Sequence, residues 1–558
     1  MRIMAFNGAH DSSVCVINDG KLEFFCKEER ISGDKRDNQP FKALDLYHSL
    51  GLGRIDYVVY APPTNNEREA QDIFFTYIRK KFNFGGIRTG LSRFSEFPHH
   101  LCHASLAFHN SKFERALIVV IDRNGSIFFS NGVPLAREAE SVFIFDRNQK
   151  TESHIHKSFW LYTPTEQRSR IVEEIQRTHP GCNIEVNNAY SIVKVYEAAT
   201  SLIGQHPLEN GKTMGLASYG EDRDYDPLFV ENIPLSHKFV FDDSNPNAEV
   251  HFSEFPYIAE RNLTQENYQF FANKAKQVQL QTQEVALNLI RKYVEQTGIK
   301  NVCLVGGYAL NVVANQYYLK NLPDVNFYFE PVADDTGVTV GAAMLKYKIE
   351  TGEYAEPLKD NFYHFYDSND KKTVVKNSKK SSVQQVCDLL IQQKCVAIFE
   401  GNPEAGPRAL GHRSILFDPR NPNAKEIVNR VKNREWYRPF AGTILESEFP
   451  KYFETLGLKN SPYMTINFDA KEETKHFVPG IIHVDGTCRI QTVSEGFFHD
   501  LIKLFYKKTG CPILLNTSFN LAGHALVQSK QDAVDTFENS QLDAVYFVEE
   551  SRILTKSK

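Results

Sequence analysis

The sequence has no apolar run near the roughly 18 residues that a membrane-spanning helix needs; Ala116-Leu-Ile-Val-Val-Ile121 is strand-sized. That excludes a helical membrane protein, and no membrane partner is expected. It also lacks any Cys-x-x-Cys pair. Nine cysteines lie scattered, which excludes a zinc ribbon or dithiol redox motif and reads as reduced thiols. Charge of one sign is not in excess: 64 Lys and Arg against 69 Asp and Glu leave −5. A nucleic-acid footprint over the whole surface is thereby excluded, while a local basic patch is not. The opening Met1-Arg-Ile-Met-Ala-Phe-Asn7 turns polar too soon for a secretory signal, so a cytoplasmic location is expected. What remains is 42% hydrophobic and 24% charged over 558 residues, an ordinary globular composition with length for about three to four domain-sized units.

Two strand-turn-strand openings stand in the first third. Arg2-Ile-Met-Ala-Phe-Asn7 reads as a strand, followed by a hairpin around Asp19-Gly20. Ala116-Leu-Ile-Val-Val-Ile-Asp122 repeats the pattern, followed by Gly125 and Ile127-Phe-Phe-Ser-Asn-Gly132. This predicts an internal duplication. Val278, Thr282, Val285, Leu289 and Tyr293 share one face of a helix that stops at Gly298. Strands at Asn301-Val-Cys-Leu-Val305 and Val325-Asn-Phe-Tyr-Phe329, each followed by a helix, predict a twisted α/β core. A stretch rich in Lys, Asn and Ser breaks the pattern, so the expected domains are 1–355 and 383–558 with a linker at 356–382. Strands are expected in the second domain at Val396-Ala-Ile-Phe, Ile513-Leu-Leu and Ala544-Val-Tyr-Phe-Val.

Five segments carry groups capable of chemistry. In His99-His100-Leu-Cys-His103, a helix would put His99 and His103 on one face as an i, i+4 pair and turn His100 elsewhere. Two such imidazoles grip a metal when a carboxylate such as Asp122 joins them; a merely His-rich surface helix is the alternative. Gly211-Lys212-Thr213 resembles the end of a P-loop, but His206 stands where that motif needs glycine. A Gly-punctuated loop over 211–220, close to a ligand, is expected instead. Gly306-Gly307-Tyr-Ala-Leu-Asn311 lies between a strand and a helix, where backbone can approach a nucleotide.

The densest group is Gly406-Pro-Arg408-Ala-Leu-Gly-His412-Arg413-Ser414, with Lys432, Arg434 and Arg438 within the span of two helical turns. Asp485-Gly-Thr-Cys-Arg489 and Asn516-Thr-Ser518-Phe-Asn520 join it. Converging guanidinium forks suit a polyphosphate or acyl phosphate better than a solvated face does. Last, in Asn7-Gly8-Ala-His10-Asp11-Ser12, either His10 or Asp11 is placed to act as a general base; a turn or cap is the alternative.

Taken in order from His10 to Asn520, these motifs resemble those of the O-carbamoyltransferases that modify nodulation factors, aminoglycosides, cephamycins and ansamycins. The resemblance implies an α/β protein with an actin-like ASKHA domain, similar to the Kae1 protein of tRNA threonylcarbamoyl transfer, followed by a YrdC-like α/β domain. It implies that the second domain converts carbamoyl phosphate and ATP, with Mg2+, to carbamoyl-adenylate. Arg408, Lys432, Arg438, Arg489, Asn516, Ser518 and Asn520 would hold the phosphates and the carbamoyl group. In the first domain, His99, His103, Asp122 and Asp335 would hold a divalent metal of the Fe2+ type. Lys212, Gly306, Gly307 and Asn311 would line the adenylate, and His10, with Asp11, would assist the acceptor hydroxyl. Two departures stand out: Arg123-Asn-Gly-Ser follows Asp122 where the family has Gly-x-Gly-Glu, and His412 replaces a common Asn.

The acceptor is expected to be a small hydroxylated metabolite, bound by the variable regions 62–97 and 135–187. The stretch 77–93 is basic, interleaved with aromatics and without acid, which keeps open a nucleic-acid acceptor such as a hydroxymethylated pyrimidine in DNA or its nucleotide. Two further readings stand beside these: a tRNA threonylcarbamoyl-type transferase, and a nucleotide-binding, non-catalytic actin-like scaffold. A homodimer is also expected.

Overall fold

The computed structural model describes residues 1–8, 10–61, 68–82, 94–162, 168–187, 190–242, 249–254, 263–264, 266–358 and 374–556. The chain divides into two compact units. One comprises Met1–Ala9, Cys15–Glu23 and His48–Pro357, the other His10–Val14, Phe24–Tyr47 and Leu358–Lys558. The second unit thus draws two segments from the first fifty residues. Most of the proposed linker, 359–373, lies outside the described residues, as do 62–67 and 83–93 of the regions assigned to the acceptor.

The first sheet contains β1 (Arg2–Phe6), β2 (Ser13–Asn18), β3 (Lys21–Lys27), β4 (Tyr57–Tyr60) and β5 (Phe94–Glu96), in the order β3-β2-β1-β4-β5. Asp19 at φ 46° and Gly20 at φ 77° make the tight turn between β2 and β3, the left-handed pair that suits the twist of a two-residue hairpin. β4 runs parallel to β1 and to β5.

The second sheet contains β6 (Arg115–Ile121), β7 (Ile127–Ser130), β8 (Val133–Asp146), β9 (Thr151–Leu161), β10 (Asn183–Asn187), β11 (Asn301–Val305) and β12 (Asn326–Phe329). Its path is β10-β9-β8-β6-β11-β12, with β7 paired to β8. β6 is antiparallel to β8 and parallel to β11, and β11 is parallel to β12. Counted from its own first strand, β9-β8-β6-β11-β12 repeats the order of the first sheet. The duplication read from two hairpins is therefore a duplication of whole sheets, the ASKHA arrangement.

β6 is central, and Ala116 to Ile121 are buried without alternation, as a strand covered on both faces requires. The helix His99–Ser111 packs against Val338–Thr351 with no room at Gly341, where a Cβ would stand 1.9 Å from the Cys102 carbonyl oxygen. The long helix Tyr268–Thr297 ends where Gly298 turns left-handed at φ 69°.

One local expectation is corrected. The segment 211–220 is not a loop, since Asn210–Ala217 is helical. Buried Thr213 anchors it through a 2.7 Å bond to Thr200 of the neighbouring helix Ile192–Leu202, so tertiary packing overrides two helix-weakening glycines.

In the second unit a nine-stranded mixed sheet contains β13 (Lys379–Lys380), β14 (Val396–Phe399), β15 (Arg413–Phe417), β16 (Ala441–Leu445), β17 (Asn467–Asp469), β18 (Thr487–Val493), β19 (Ile513–Ser518), β20 (Ala544–Phe547) and β21 (Arg552–Thr555). The order is β13-β21-β20-β14-β15-β19-β16-β18-β17. The three strands expected here are present. All nine cysteines are buried and unpaired, and among the described residues no helix is long and apolar enough to cross a membrane.

Candidate functional sites

In the first unit, the histidine helix begins at His99, so its first turn lies against the end of β6, where Asp122 follows Ile121. His99 Nε2 is 3.3 Å from Asp122 Oδ2, 3.2 Å from His103 Nε2 and 3.3 Å from Asp335 Oδ1. His103 Nε2 is 3.4 Å from the same Asp335 oxygen. One donor atom from each of the four lies within 4.8 Å of all the others, and all four residues are buried. Asp335 comes from the turn before the helix Val338–Thr351, and Asn7 fixes that turn by donating to the Asp335 carbonyl at 2.9 Å.

The charges interact strongly. Burial alone would lower the His99 imidazole, but Asp335 and then Asp122 outweigh it and raise it to about 10. Burial and Asp335 push the Asp122 carboxyl up, yet the two imidazoles hold it well below the usual carboxylate range. Two carboxylates and two imidazoles, out of water with their donor atoms converging, form a donor set that fits a divalent transition metal.

His100 turns away, as its position on the helix predicts. Its Nδ1 lies 2.9 Å from Ser141 Oγ and 3.5 Å from Glu138. Burial pushes it down to about 4 against the pull of Glu138, so it is a neutral packing partner.

Gly306 and Gly307 lie against Asp122 of this four-residue cluster. Gly306 has φ +90°, and a Cβ there would meet the Ile121 carbonyl oxygen at 2.5 Å. The Gly307 N–H donates to Asp122 Oδ1 at 2.8 Å, which orients that carboxylate. Asn311 caps the helix Val312–Asn321 by accepting from the Ala314 N–H at 3.1 Å, and it also pairs with Gln279. Lys212 lies in the helix after the glycine, bonded to Gln205 and to Glu209.

Arg123, the departure beside Asp122, pairs with Glu197, which also accepts from Lys194 at 3.1 Å. Burial first, then Arg123 and Arg137, push the Lys194 amine down to about 7 against Glu197. This cluster was not foreseen from the sequence; its only signal there is the family departure at 123.

His10 and Asp11 belong to the second unit, with His10 Nδ1 3.4 Å from Asp11 Oδ2 and Lys27 Nζ 2.5 Å from Asp11 Oδ1. Burial would raise the Asp11 carboxyl, but Lys27 and then His10 hold it far below its ordinary value. A carboxylate so strongly paired is a poor proton acceptor and a good anchor for His10.

The larger cationic site of the second unit gathers most of the remaining residues. The helix Ala424–Lys432 stops as Asn433 turns left-handed at φ 52°, so Arg434 and Arg438 lie in the chain beyond it. Lys432 Nζ donates to Ser518 Oγ at 3.2 Å, to the Asn520 carbonyl at 2.8 Å and to Asn520 Oδ1 at 3.0 Å. Three predicted residues thereby meet at one ammonium.

Burial, then Arg434 and Arg438, hold the Lys432 amine well below its usual range. Arg434 is lowered by burial, Arg438 and Arg489, and Arg489 falls to about 10 mainly through burial. Arg438 pairs with Glu435 at 3.4 Å. Cations that depress one another out of water are stabilised by an anionic ligand. Asn516 is fully buried and donates to the Ala409 carbonyl at 3.1 Å, under the turn that carries Arg408. In the basic stretch 77–93, the described Lys81 donates to the Tyr77 hydroxyl at 2.9 Å, and residues 83–93 lie outside the described residues.

Two family models match the chain. A family model described as the carbamoyltransferase N-terminus matches residues 71–344, and one described as the carbamoyltransferase C-terminus matches 387–554. The nodulation protein NolNO of Sinorhizobium fredii is 27% identical over 582 residues, covering 96% of this chain and 78% of the relative. The nodulation protein NolO of Bradyrhizobium diazoefficiens is 30% identical over 472 residues, covering 80% of this chain and 77% of its own. Among solved structures, full-length HypF in its phosphate- and nucleotide-bound form aligns at 14% identity with a TM-score of 0.37. That alignment covers 63% of this chain and 56% of HypF, so this chain spans about half the length of that protein.

Proposed function

The chain belongs to the carbamoyltransferase family, and from that premise we propose that it is an ATP-dependent O-carbamoyltransferase acting on a small hydroxylated metabolite. The observation that carries this reading is the gathering of the half-buried Arg434, Arg438 and Arg489 with the buried Lys432, with Glu435 the carboxylate paired with them among the described residues.

In the second unit, Arg408, Lys432, Arg438 and Arg489 hold the phosphate oxygens of carbamoyl phosphate and of ATP, the latter entering with Mg2+. Hydrolysis of carbamoyl phosphate gives carbamate and inorganic phosphate. One carbamate oxygen attacks the α-phosphorus of ATP and pyrophosphate leaves, giving carbamoyl-adenylate. The guanidinium and ammonium groups spread the charge that builds on the phosphate oxygens, and Ser518 and Asn520 fix Lys432 in place.

In the first unit the acceptor hydroxyl oxygen attacks the carbamoyl carbon. The bond from that carbon to the adenylate oxygen breaks, and AMP departs. His99, His103, Asp122 and Asp335 would hold a divalent ion, with Fe2+ the proposed occupant. When bound, it supplies a template and a Lewis acid for the carbonyl oxygen. Gly307 holds Asp122 in orientation, and Gly306, without a Cβ, lets this turn pack directly on the end of β6 beside Asp122. The hydroxyl proton passes to solvent; His10, expected from the resemblance to accept it, belongs to the second unit, where Asp11 anchors it. Keeping activation and transfer at separate sites shields a water-sensitive intermediate.

The test is carbamoyl-phosphate-dependent release of pyrophosphate from ATP. Wild type is expected to turn over, Arg408→Ala to lose at least about 100-fold, and His99→Ala to keep release while failing at transfer. A wild-type protein that releases no pyrophosphate under these conditions overturns the reading.

A further inference from the structure

The turn that carries Arg408 is bound from beneath by side chains that hydrogen-bond its backbone. Glu404 is fully buried, and its Oε1 accepts from the N–H groups of Leu410 at 2.7 Å, His412 at 3.0 Å and Arg413 at 3.2 Å. Gln491, 1% exposed on β18, donates Nε2 to the Leu410 carbonyl at 2.9 Å. Asn516 on β19 donates to the Ala409 carbonyl and also approaches Gln491 Oε1 at 3.2 Å, while Thr443 on β16 donates to the same Gln491 oxygen at 2.9 Å. The Gly411 N–H goes to Ser414 Oγ at 3.0 Å. Four consecutive residues, 410–413, thus have their N–H groups, and 409 and 410 their carbonyls, assigned to buried polar side chains or to a hydroxyl from β15.

A carboxylate and two amides are costly to bury, and their placement here is not needed to close a sheet. The residues they hold are Ala409 to Arg413, directly after Arg408, where Gly411 at φ 120° would otherwise leave the backbone many conformations. Fixing it removes that freedom before a ligand arrives, which is where preorganised binding gains.

We propose that Glu404 and Gln491 are positioning residues that set the Arg408 guanidinium for the phosphate oxygens of carbamoyl phosphate. The inference rests on the function proposed above for that site. Neither residue meets substrate; both act through the backbone of 409–413. Glu404 fixes the N–H side of the turn and Gln491 the carbonyl side, so each alone leaves the turn half-held.

The test uses the full-length protein. Gln491→Met keeps the side-chain volume and removes the amide, and it is expected to raise the KM for carbamoyl phosphate about 10-fold with kcat within about twofold of wild type. Glu404→Gln keeps an oxygen for the three N–H groups and is expected to shift KM in the same direction by less. A fall in kcat at unchanged KM overturns the proposal.

Because Arg408→Ala is expected to lose turnover, coupling is read from calorimetric affinity for inorganic phosphate. Gln491→Met should weaken that affinity in wild type and add nothing in the Arg408→Ala background. Equal losses in both backgrounds mean a general structural role and overturn the proposal. If wild type binds phosphate but releases no pyrophosphate, the proposed function fails while this cycle still decides the inference. If it binds no phosphate, the positioning role falls as well.

Discussion

Glu400 lies close to Glu404 and Glu549 in the second unit, and burial, then those two carboxylates, push its carboxyl up to about 7 from an ordinary 4.5. Between these values the folded state holds a proton that the unfolded state has lost, so stability falls as pH rises through that window. Glu400→Gln removes the ionisation. Its Tm should match wild type near pH 4 and exceed it at pH 8, measured by differential scanning calorimetry across that range. At this scale the sequence reached the residues whose spacing forces them together. His99 and His103 are one helical turn apart, so a single correct helix placed both. It reached Lys432 and Arg438 through sheer density of charge. It did not reach Glu404 or Gln491, because a carboxylate and an amide that bind only backbone leave no pattern in the chain; their partners are peptide groups of other residues. Nor did it place Arg123 against Glu197, a pair 74 residues apart whose meeting depends on tertiary packing that brings the helix Ile192–Leu202 to the residue after Asp122.

Among the elements, the contact of the histidine helix with Val338–Thr351 sets the metal donors. Gly341 has no space for a methyl group, with the Cys102 carbonyl carbon at 2.9 Å and the Leu106 nitrogen at 3.0 Å from an added Cβ. Gly341→Ala must push the helices apart, a backbone clash that costs about 1–3 kcal/mol as overpacking. It also separates His99 and His103, on one helix, from Asp335, at the start of the other. The expected outcome is a lower Tm together with reduced retention of divalent metal after dialysis, measured by elemental analysis; full metal content in a destabilised variant would contradict the link. Elements with strong local signals were legible: the Asp19-Gly20 hairpin, the helix ending at Gly298, the strands flanking Gly306. The helix Asn210–Ala217 was not, since its glycines argue for a loop locally and tertiary contacts such as Thr200–Thr213 stabilise it.

For the molecule as a whole, the second unit takes in His10–Val14 and Phe24–Tyr47. Phe24, Phe25, Leu44 and Tyr47 there are at most 2% exposed. Burial of such a side chain contributes about 1.5–3 kcal/mol, so a fragment of 358–558 loses several of them at once. That fragment should unfold at a lower temperature than the corresponding transition of the intact chain, or aggregate; a fragment with unaltered calorimetric Tm would show the two segments to be dispensable. A boundary drawn from composition sees only where the chain changes character, and no compositional shift marks a segment that returns to a unit built three hundred residues later. Amino-acid order alone was enough for the α/β class, the repeated hairpin, the candidate donors His99, His103 and Asp122 and the charged motifs, because each rests on local periodicity or on residue types too costly to bury without purpose; Asp335 came from the family resemblance. It took the folded chain to show that the repeat extends to whole sheets of the same strand order, that His10 and Asp11 belong with the second unit, and that the Arg408 turn is held by Glu404 and Gln491. Those facts depend on long-range packing and on hydrogen bonds to backbone, for which the order of residues carries no local signature.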